Sequence, residues 1–223
     1  MEAESLNKHD AEQVAFMTEE CILVDESDAV TGSASKVTCH HGEGVLHRAF
    51  SILIFDSEGR LLLQQRSPEK ITFPGVWANT CCSHPLYCDS ELETRDALGV
   101  KRAAQRKLGH ELGIPETDAP LEDMVFMTRM LYRARASAEW VEHEMDHIIC
   151  LRADVEPVPN PNEIAKTRWV TQAELRELLA SEHIGPWFRL IAENLLPAWW
   201  ENLDDLAEMA DTEIHVMGEV AWS

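Results

Sequence analysis

Arg106-Lys107-Leu108-Gly109-His110-Glu111-Leu112-Gly113-Ile114 is the stretch on which the fold of this 223-residue chain turns. It closes a segment, Leu98 to Leu112, in which alanine, leucine and charged residues recur at helical spacing. Gly113 is a helix stop, because glycine enters the left-handed conformation without a Cβ penalty, and Pro115 keeps the helix from resuming. Upstream, Cys21-Ile22-Leu23-Val24-Asp25 reads as a short apolar strand and Asp25 to Gly32 as a turn. His47 to Phe55 reads as a strand, Asp56-Ser57-Glu58-Gly59 as a hairpin turn and Leu61 to Arg66 as the return strand. Downstream, strands are expected at about 124–134 and 141–152, then a rigid loop at Pro157, Pro159 and Pro161, then a short strand closed by Trp169-Val170. Thr171-Gln172-Ala173-Glu174 reads as a capping box, and Pro186-Trp187 opens a tryptophan-rich helix ending near Leu203. Strand pairs, a helix, strands and then helices predict an α/β fold, a mixed β-sheet flanked by α-helices, rather than a regular parallel βαβ series. Residues 1–18 read as a flexible N-terminal extension, 19–204 as the folded domain and 205–223 as an acidic C-terminal tail.

The net charge of −21, from 19 basic and 40 acidic residues, argues against nonspecific nucleic-acid binding, which needs a basic surface. It leaves room for an anionic small molecule, because a local basic pocket can exist on an acidic protein. No apolar run approaches the ~20 residues of a membrane span. The acidic N-terminus, Met1-Glu2-Ala3-Glu4-Ser5, has the form of neither a secretory signal nor a basic transit peptide. Six cysteines in a chain of this length are not a disulfide scaffold and read as free thiols in a reducing compartment. These features imply a cytoplasmic protein, monomeric or weakly dimeric, and are compatible with import into plastids or peroxisomes.

Two cysteines and a histidine fall within Asn79-Thr80-Cys81-Cys82-Ser83-His84-Pro85. If this segment is extended, Cys82 and His84 share one face and Cys81 takes the other. Pro85 donates no ladder bond and ends the strand. Glu142 and Glu144, with Asp146 after them, also share a strand face, where three carboxylates repel each other unless a cation or exposure relieves them. His40 and His47 flank the start of the long strand. Each group has an ordinary reading: a buried cysteine, satisfied histidines, a charged edge strand. Taken together, His40, His47, His84, Glu142 and Glu144 make a mixed imidazole and carboxylate set that suits Zn²⁺, Mn²⁺ or Fe²⁺. The alternative is a closed structural zinc site built from Cys39, His40, Cys82 and His84.

The opening stretch resembles the second half of the Nudix box, Arg-Glu-aliphatic-x-Glu-Glu-x-Gly-aliphatic. Arg106, Leu108, Glu111, Gly113 and Ile114 match, while Lys107 and His110 stand where the box has glutamates. Six residues after Gly75, where the family has another Glu, stands Cys81. Nudix hydrolases use those acids to assemble Mg²⁺ ions for pyrophosphate cleavage, so the resemblance implies a Nudix fold without its hydrolytic site. The departures are similar to those of the type I isopentenyl-diphosphate isomerases. Thr80 to Pro85, Leu46-His47-Arg48-Ala49-Phe50, Leu62 to Ser67, Ala103 to Leu108, Glu142-His143-Glu144-Met145-Asp146 and Ser181 to Trp200 all look like motifs of that family. The resemblance covers about residues 19–204.

It implies interconversion of isopentenyl and dimethylallyl diphosphate, a step of isoprenoid biosynthesis, through protonation to a tertiary carbocation and loss of a different proton. It implies that His40, His47, His84, Glu142 and Glu144 hold a divalent ion (Mg²⁺, Mn²⁺ or Zn²⁺) and that Cys82 and Glu144 are the two acid/base groups. Tyr132 would orient the proton transfer and Trp187 would face the cation. Glu111 would help hold a Mg²⁺ that arrives with the diphosphate, and Lys36, Arg66, Lys70, Lys107 and Ser83 would bind that diphosphate. The chemistry suits these residue types. Shifting an unactivated double bond needs two groups that exchange protons with different carbons, an aromatic face for the positive charge and exclusion of water, which would otherwise trap the cation. Trp199 and Trp200 fit either a wall of such a site or plain core. Two rivals are a Nudix diphosphohydrolase and a metal-stabilised binding domain without catalysis.

Overall fold

The computed structural model describes residue 6 and residues 9–221. Its strands are β1 (Glu20–Val24), β2 (Val30–Ser35), β3 (His47–Phe55), β4 (Leu61–Arg66), β5 (Trp77–Ala78), β6 (Cys81–Ser83), β7 (Val125–Arg135), β8 (Val141–Arg152), β9 (Ile164–Val170) and β10 (Ile214–Val220). The helices are α1 (Ala11–Phe16), α2 (Lys36–His40), α3 (Leu98–Leu112), α4 (Gln172–Ser181), α5 (Pro186–Asn194) and α6 (Leu196–Trp200).

β3 is buried at every residue, as befits a strand whose two faces are both covered. It runs parallel to β8, with His47 opposite Glu144 and Phe55 opposite Arg152. β8 is antiparallel to β7, and β7 is parallel to β10. The other edge of β3 is shared by three strands. β1 meets it at His47, β6 at Phe50–Ile52 and β4 at Phe55. β4 then carries β5 and β9. The sheet is therefore mixed, as expected.

Side-chain alternation along β3 and β8 divides the interior in two. Ile52, Ile54, Ile149 and Leu151 pack on Val100, Ala103, Leu108 and Leu112 of α3. Leu53, Phe55, Ile148 and Cys150 pack on Phe188, Ile191, Leu196 and Trp199 of the C-terminal helices. α3 spans the expected residues and ends as expected: Gly113 has φ +63, and Ile114 N–H returns to Leu108 O at 3.2 Å. A Cβ at position 113 would stand 3.0 Å from Val158 O, so the cap also needs the missing side chain for a close approach. The Thr171–Glu174 capping box is present in both directions. Trp199 and Trp200 are core; the Trp200 indole donates to Gly59 O at 2.7 Å.

One expectation is corrected, and both ends of the chain carry regular structure. The helix opened by Pro186 does not run on to Leu203: it breaks at Leu195, because Pro197 in the first turn of α6 has no N–H to continue the ladder. Residues 11–16 of the N-terminal segment are helical. Asp10 caps α1, and the buried Gln13 donates to Asn162 Oδ1 at 2.6 Å and Glu163 Oε1 at 2.9 Å; residues 1–5, 7 and 8 of the expected extension lie outside the described residues. In the segment after residue 204, Ile214–Val220 forms β10 on the edge of β7; residues 222–223 lie outside the described residues. Among the described residues no helix is long and apolar enough to cross a membrane.

Candidate active site

The sheet assembles the five candidate ligands from four places. His40 ends α2, whose N-terminus is capped by the Ser35 hydroxyl. The chain then doubles back to start β3 at His47. Gly44 allows this return: it has φ +67, and a Cβ there would lie 2.6 Å from a methyl of Val141. The parallel register puts Glu144 beside His47, and the two-residue period of β8 puts Glu142 on the same face. His84 follows β6 and is braced by Arg106, which donates to its carbonyl at 3.3 Å while paired with Glu91.

The ligand atoms of His40, His47, His84, Glu142 and Glu144 all lie within 4.8 Å of one another. His40 Nε2 is 2.8 Å from Glu142 Oε2, and His84 Nε2 and His47 Nε2 are 2.9 Å and 3.7 Å from Glu144 Oε1. The Nδ1 atoms of His40 and His47 donate to the carbonyls of Lys36 and Val45, each at 2.7 Å. Those bonds fix the ring orientations, so both Nε2 atoms face the carboxylates. His40 Nε2, His47 Nε2 and Glu142 Oε2 are buried without a hydrogen-bond partner. Imidazole nitrogens and carboxylate oxygens converging in a buried centre are what a divalent cation relieves, so the residues present fit a metal. Burial opposes charge on both His47 and Glu144. Their mutual attraction outweighs it, raising His47 to about 9 and holding Glu144 at about 2, so a cation bound here would displace a proton from His47 Nε2. Burial and the Lys36 charge push His84 well below the ordinary imidazole value, in the neutral form that a ligand requires.

Glu144 also meets a phenol on its other oxygen. Tyr132 lies opposite it in the β7–β8 register and donates to Oε2 at 2.5 Å. Cys82 faces the same cavity from β6, opposite Ser51, whereas Cys81 points to α3 and lies 3.5 Å from Glu111 Oε2. Burial pushes the Cys82 thiol up to about 12, opposed by Arg66, whose Nη1 is 3.8 Å from the sulfur. The same guanidinium sits 5.4 Å above the Trp187 ring. Lys36, Lys70, Ser83 and Trp187 line this cavity too.

Lys70 is paired with the buried Glu163 at 2.6 Å. Lys107 pairs with Glu111 at 3.0 Å, and neither lines the cavity. Cys39, part of the alternative structural zinc set, is buried toward Ala34 O and stands outside the ligand group. Several cavity residues carried no sequence signal, among them Gln13, Met17 and Ser51. Gln13 and Met17 come from the polar N-terminal segment, and Ser51, whose hydroxyl donates to the buried Asp146 at 2.8 Å, looks like one more position of an apolar strand. Glu163, the partner of Lys70, was likewise invisible in a proline-rich loop.

A NUDIX domain family model matches residues 45–191. The chain is 49% identical over 218 residues to isopentenyl-diphosphate Delta-isomerase 1 of Bos taurus, covering 93% of this chain and 96% of that one. It is 48% identical over 207 residues to isopentenyl-diphosphate Delta-isomerase II of Clarkia breweri, covering 86% and 72%. Among solved structures, DR0079 from Deinococcus radiodurans matches with a TM-score of 0.57 at 21% identity over 78% of this chain and 97% of that one, a likeness of fold.

Proposed function

The chain belongs to the isopentenyl-diphosphate Delta-isomerases of the NUDIX domain family, and on that premise we propose how its own residues carry the reaction. It interconverts isopentenyl diphosphate and dimethylallyl diphosphate. The observation that carries the residue assignment is the presentation of Cys82 and Glu144 into one cavity from separate strands, with Tyr132 bonded to Glu144 and Trp187 on the wall.

Moving the double bond requires a proton to be added at one carbon and a different proton to be removed from another. Glu144, with the Tyr132 hydroxyl on its Oε2, serves one carbon, and the Cys82 sulfur serves the other. Because the reaction is reversible, each group donates in one direction and accepts in the other. The positive charge between the two transfers is tertiary and is stabilised by the Trp187 π-face, an interaction worth ~2 kcal/mol or more when desolvated. Arg66, Lys36 and Lys70 hold the diphosphate, and Gln13 and Met17 of the N-terminal segment narrow the access of water. His40, His47, His84, Glu142 and Glu144 would hold a divalent ion, which, when bound, supplies positive charge that orients and acidifies the Glu144 end of the site. A Mg²⁺ arriving with the diphosphate would draw on Glu111, at present neutralised by Lys107.

Hydrolysis is the less favoured chemistry. Among the described residues the box acids form no second ligand group, and the surviving Glu111 is spent on a lysine. The test is phosphorus accounting. Isopentenyl diphosphate incubated with the protein should give dimethylallyl diphosphate with its diphosphate intact. Release of orthophosphate or pyrophosphate at the rate of substrate loss would restore the hydrolase reading.

A further inference from the structure

Asn79 is fully buried, does not line the cavity, and spends its amide on three elements. Its Nδ2 donates to Ile52 O of β3 at 3.1 Å and to Cys81 O of β6 at 2.7 Å. Its Oδ1 accepts from the Trp187 indole Nε1–H at 3.0 Å. The orientation of the amide is set by these partners, since an indole N–H only donates and a carbonyl only accepts.

The bonds lie where the sheet splits. Between the Phe50–Ile52 pairing with β6 and the Phe55 pairing with β4, β3 has a gap on that edge. Two side chains fill it: the Thr80 hydroxyl accepts from Ile54 N–H at 2.9 Å and donates to Leu62 O at 2.7 Å, and Asn79 takes Ile52 O. Threonine 80 meets the backbone alone. Asn79 also reaches out to the aromatic wall.

Trp187 is held from other directions as well. Phe73 meets its ring edge-on at 5.6 Å, and a Cβ on Gly185 would stand 2.9 Å from the ring, so the indole lies back over a residue that must have no side chain. The segment before α5 is tied to β5 by Trp77 N–H to His183 O and Gly185 N–H to Trp77 O, both at 2.8 Å. These contacts limit where the ring sits. The bond to Asn79 sets its rotation, because the Nε1 edge is the one polar point on the indole.

We propose that Asn79 is a positioning residue: a single amide that fixes the Trp187 ring relative to the Cys82 sulfur, three residues along the same segment, so that both address the same substrate carbons. This rests on the isomerase reading of the site. A cation is stabilised by a ring face only when the face is turned to it, and a misplacement of about 1 Å in a group near the chemistry can cost about a hundredfold in rate.

A merely structural Asn79 would lower activity whether or not Trp187 carries an indole N–H, so the two roles separate in a double-mutant cycle. The enzyme, N79A, W187F and N79A/W187F are compared for kcat and KM with isopentenyl diphosphate. W187F keeps an aromatic ring and loses the N–H. Each single variant should lower kcat by about tenfold or more with KM changed by less than about threefold. The double variant should fall no more than about threefold below W187F. Losses that multiply overturn the proposal and leave the isomerase reading intact; a wild-type chain that forms no dimethylallyl diphosphate removes the reading itself. Should N79A not fold, nitrogen-15 labelling of the tryptophans in the wild-type chain still decides. The indole N–H resonance absent from W187F should be protected from solvent exchange by at least about a hundredfold. A freely exchanging N–H would overturn the link.

Discussion

Tyr132 and Glu144 face each other across the β7–β8 ladder, and the phenol donates to Glu144 Oε2 at 2.5 Å while Oε1 faces His47 and His84. One carboxylate thus belongs to two neighbourhoods, the ligand cluster on one side and a proton donor on the other. Burial and the nearby Glu144 charge push the phenol well above its ordinary value, so it stays protonated. Tyr132→Phe removes this bond and no ligand. Turnover is expected to fall by about a hundredfold, the low end for general acid–base assistance, with metal content unchanged. Metal analysis beside kcat checks both; loss of metal together with activity would place Tyr132 in the ligand scaffold instead.

The two adjacent cysteines make a matched pair of tests, because β6 turns Cys82 to the cavity and Cys81 to α3. Cys82→Ala should abolish nearly all turnover, at least about a thousandfold, and unfold at close to the parent temperature. Cys81→Ala leaves a small cavity in the core, costing roughly 1 kcal/mol, and should keep most of the activity. Equal activity in the two variants is the outcome that contradicts the assignment.

Removing a ligand should show first in metal content. Glu142→Gln keeps the shape of the side chain and replaces an anionic oxygen by a neutral amide, and His84→Ala deletes a donor 2.9 Å from Glu144. Both purified variants should bind the divalent ion at least about tenfold more weakly. Full occupancy after dialysis against a chelator would refute the ligand set.

The pH profile should carry the mark of Lys70. Burial lowers it to about 8 despite Glu163 at 2.6 Å. A lysine with a depressed value is a cation below that value and is lost as the pH rises through it. The free-enzyme parameter kcat/KM should therefore decline above about pH 8 as a diphosphate contact disappears. Lys70→Arg, which stays charged, should carry the plateau to higher pH. An unchanged alkaline limb in that variant would assign the decline to another group.

How much of this was legible in the chain depends on the range of the interactions. α3 with Gly113, the capping box at Thr171 and the strands around His47 and Glu144 follow from local spacing, and the structure has them where they were expected. The opposite faces of Cys81 and Cys82 follow from the strand period alone. What stayed hidden is long-range and polar. Gln13 reaches Glu163 across 150 residues, and no periodicity announces such a pair. β10 has an exposed Val216 and a glycine in a run of seven, too weak a pattern to stand out from an acidic tail. Asn79 sat in plain view in the cysteine segment, but its partner Trp187 is 108 residues away.

In the proposed mechanism two separate groups, Cys82 and Glu144, exchange protons with different carbons of the substrate. Isomerisation in heavy water tests it most directly. Deuterium is expected in the new methyl group of dimethylallyl diphosphate from the first turnover, spreading to other exchangeable positions as the reaction reverses, with Glu144→Gln suppressing label and turnover together. Product that forms at the normal rate without deuterium would mean an internal hydrogen shift and would contradict the two-group mechanism.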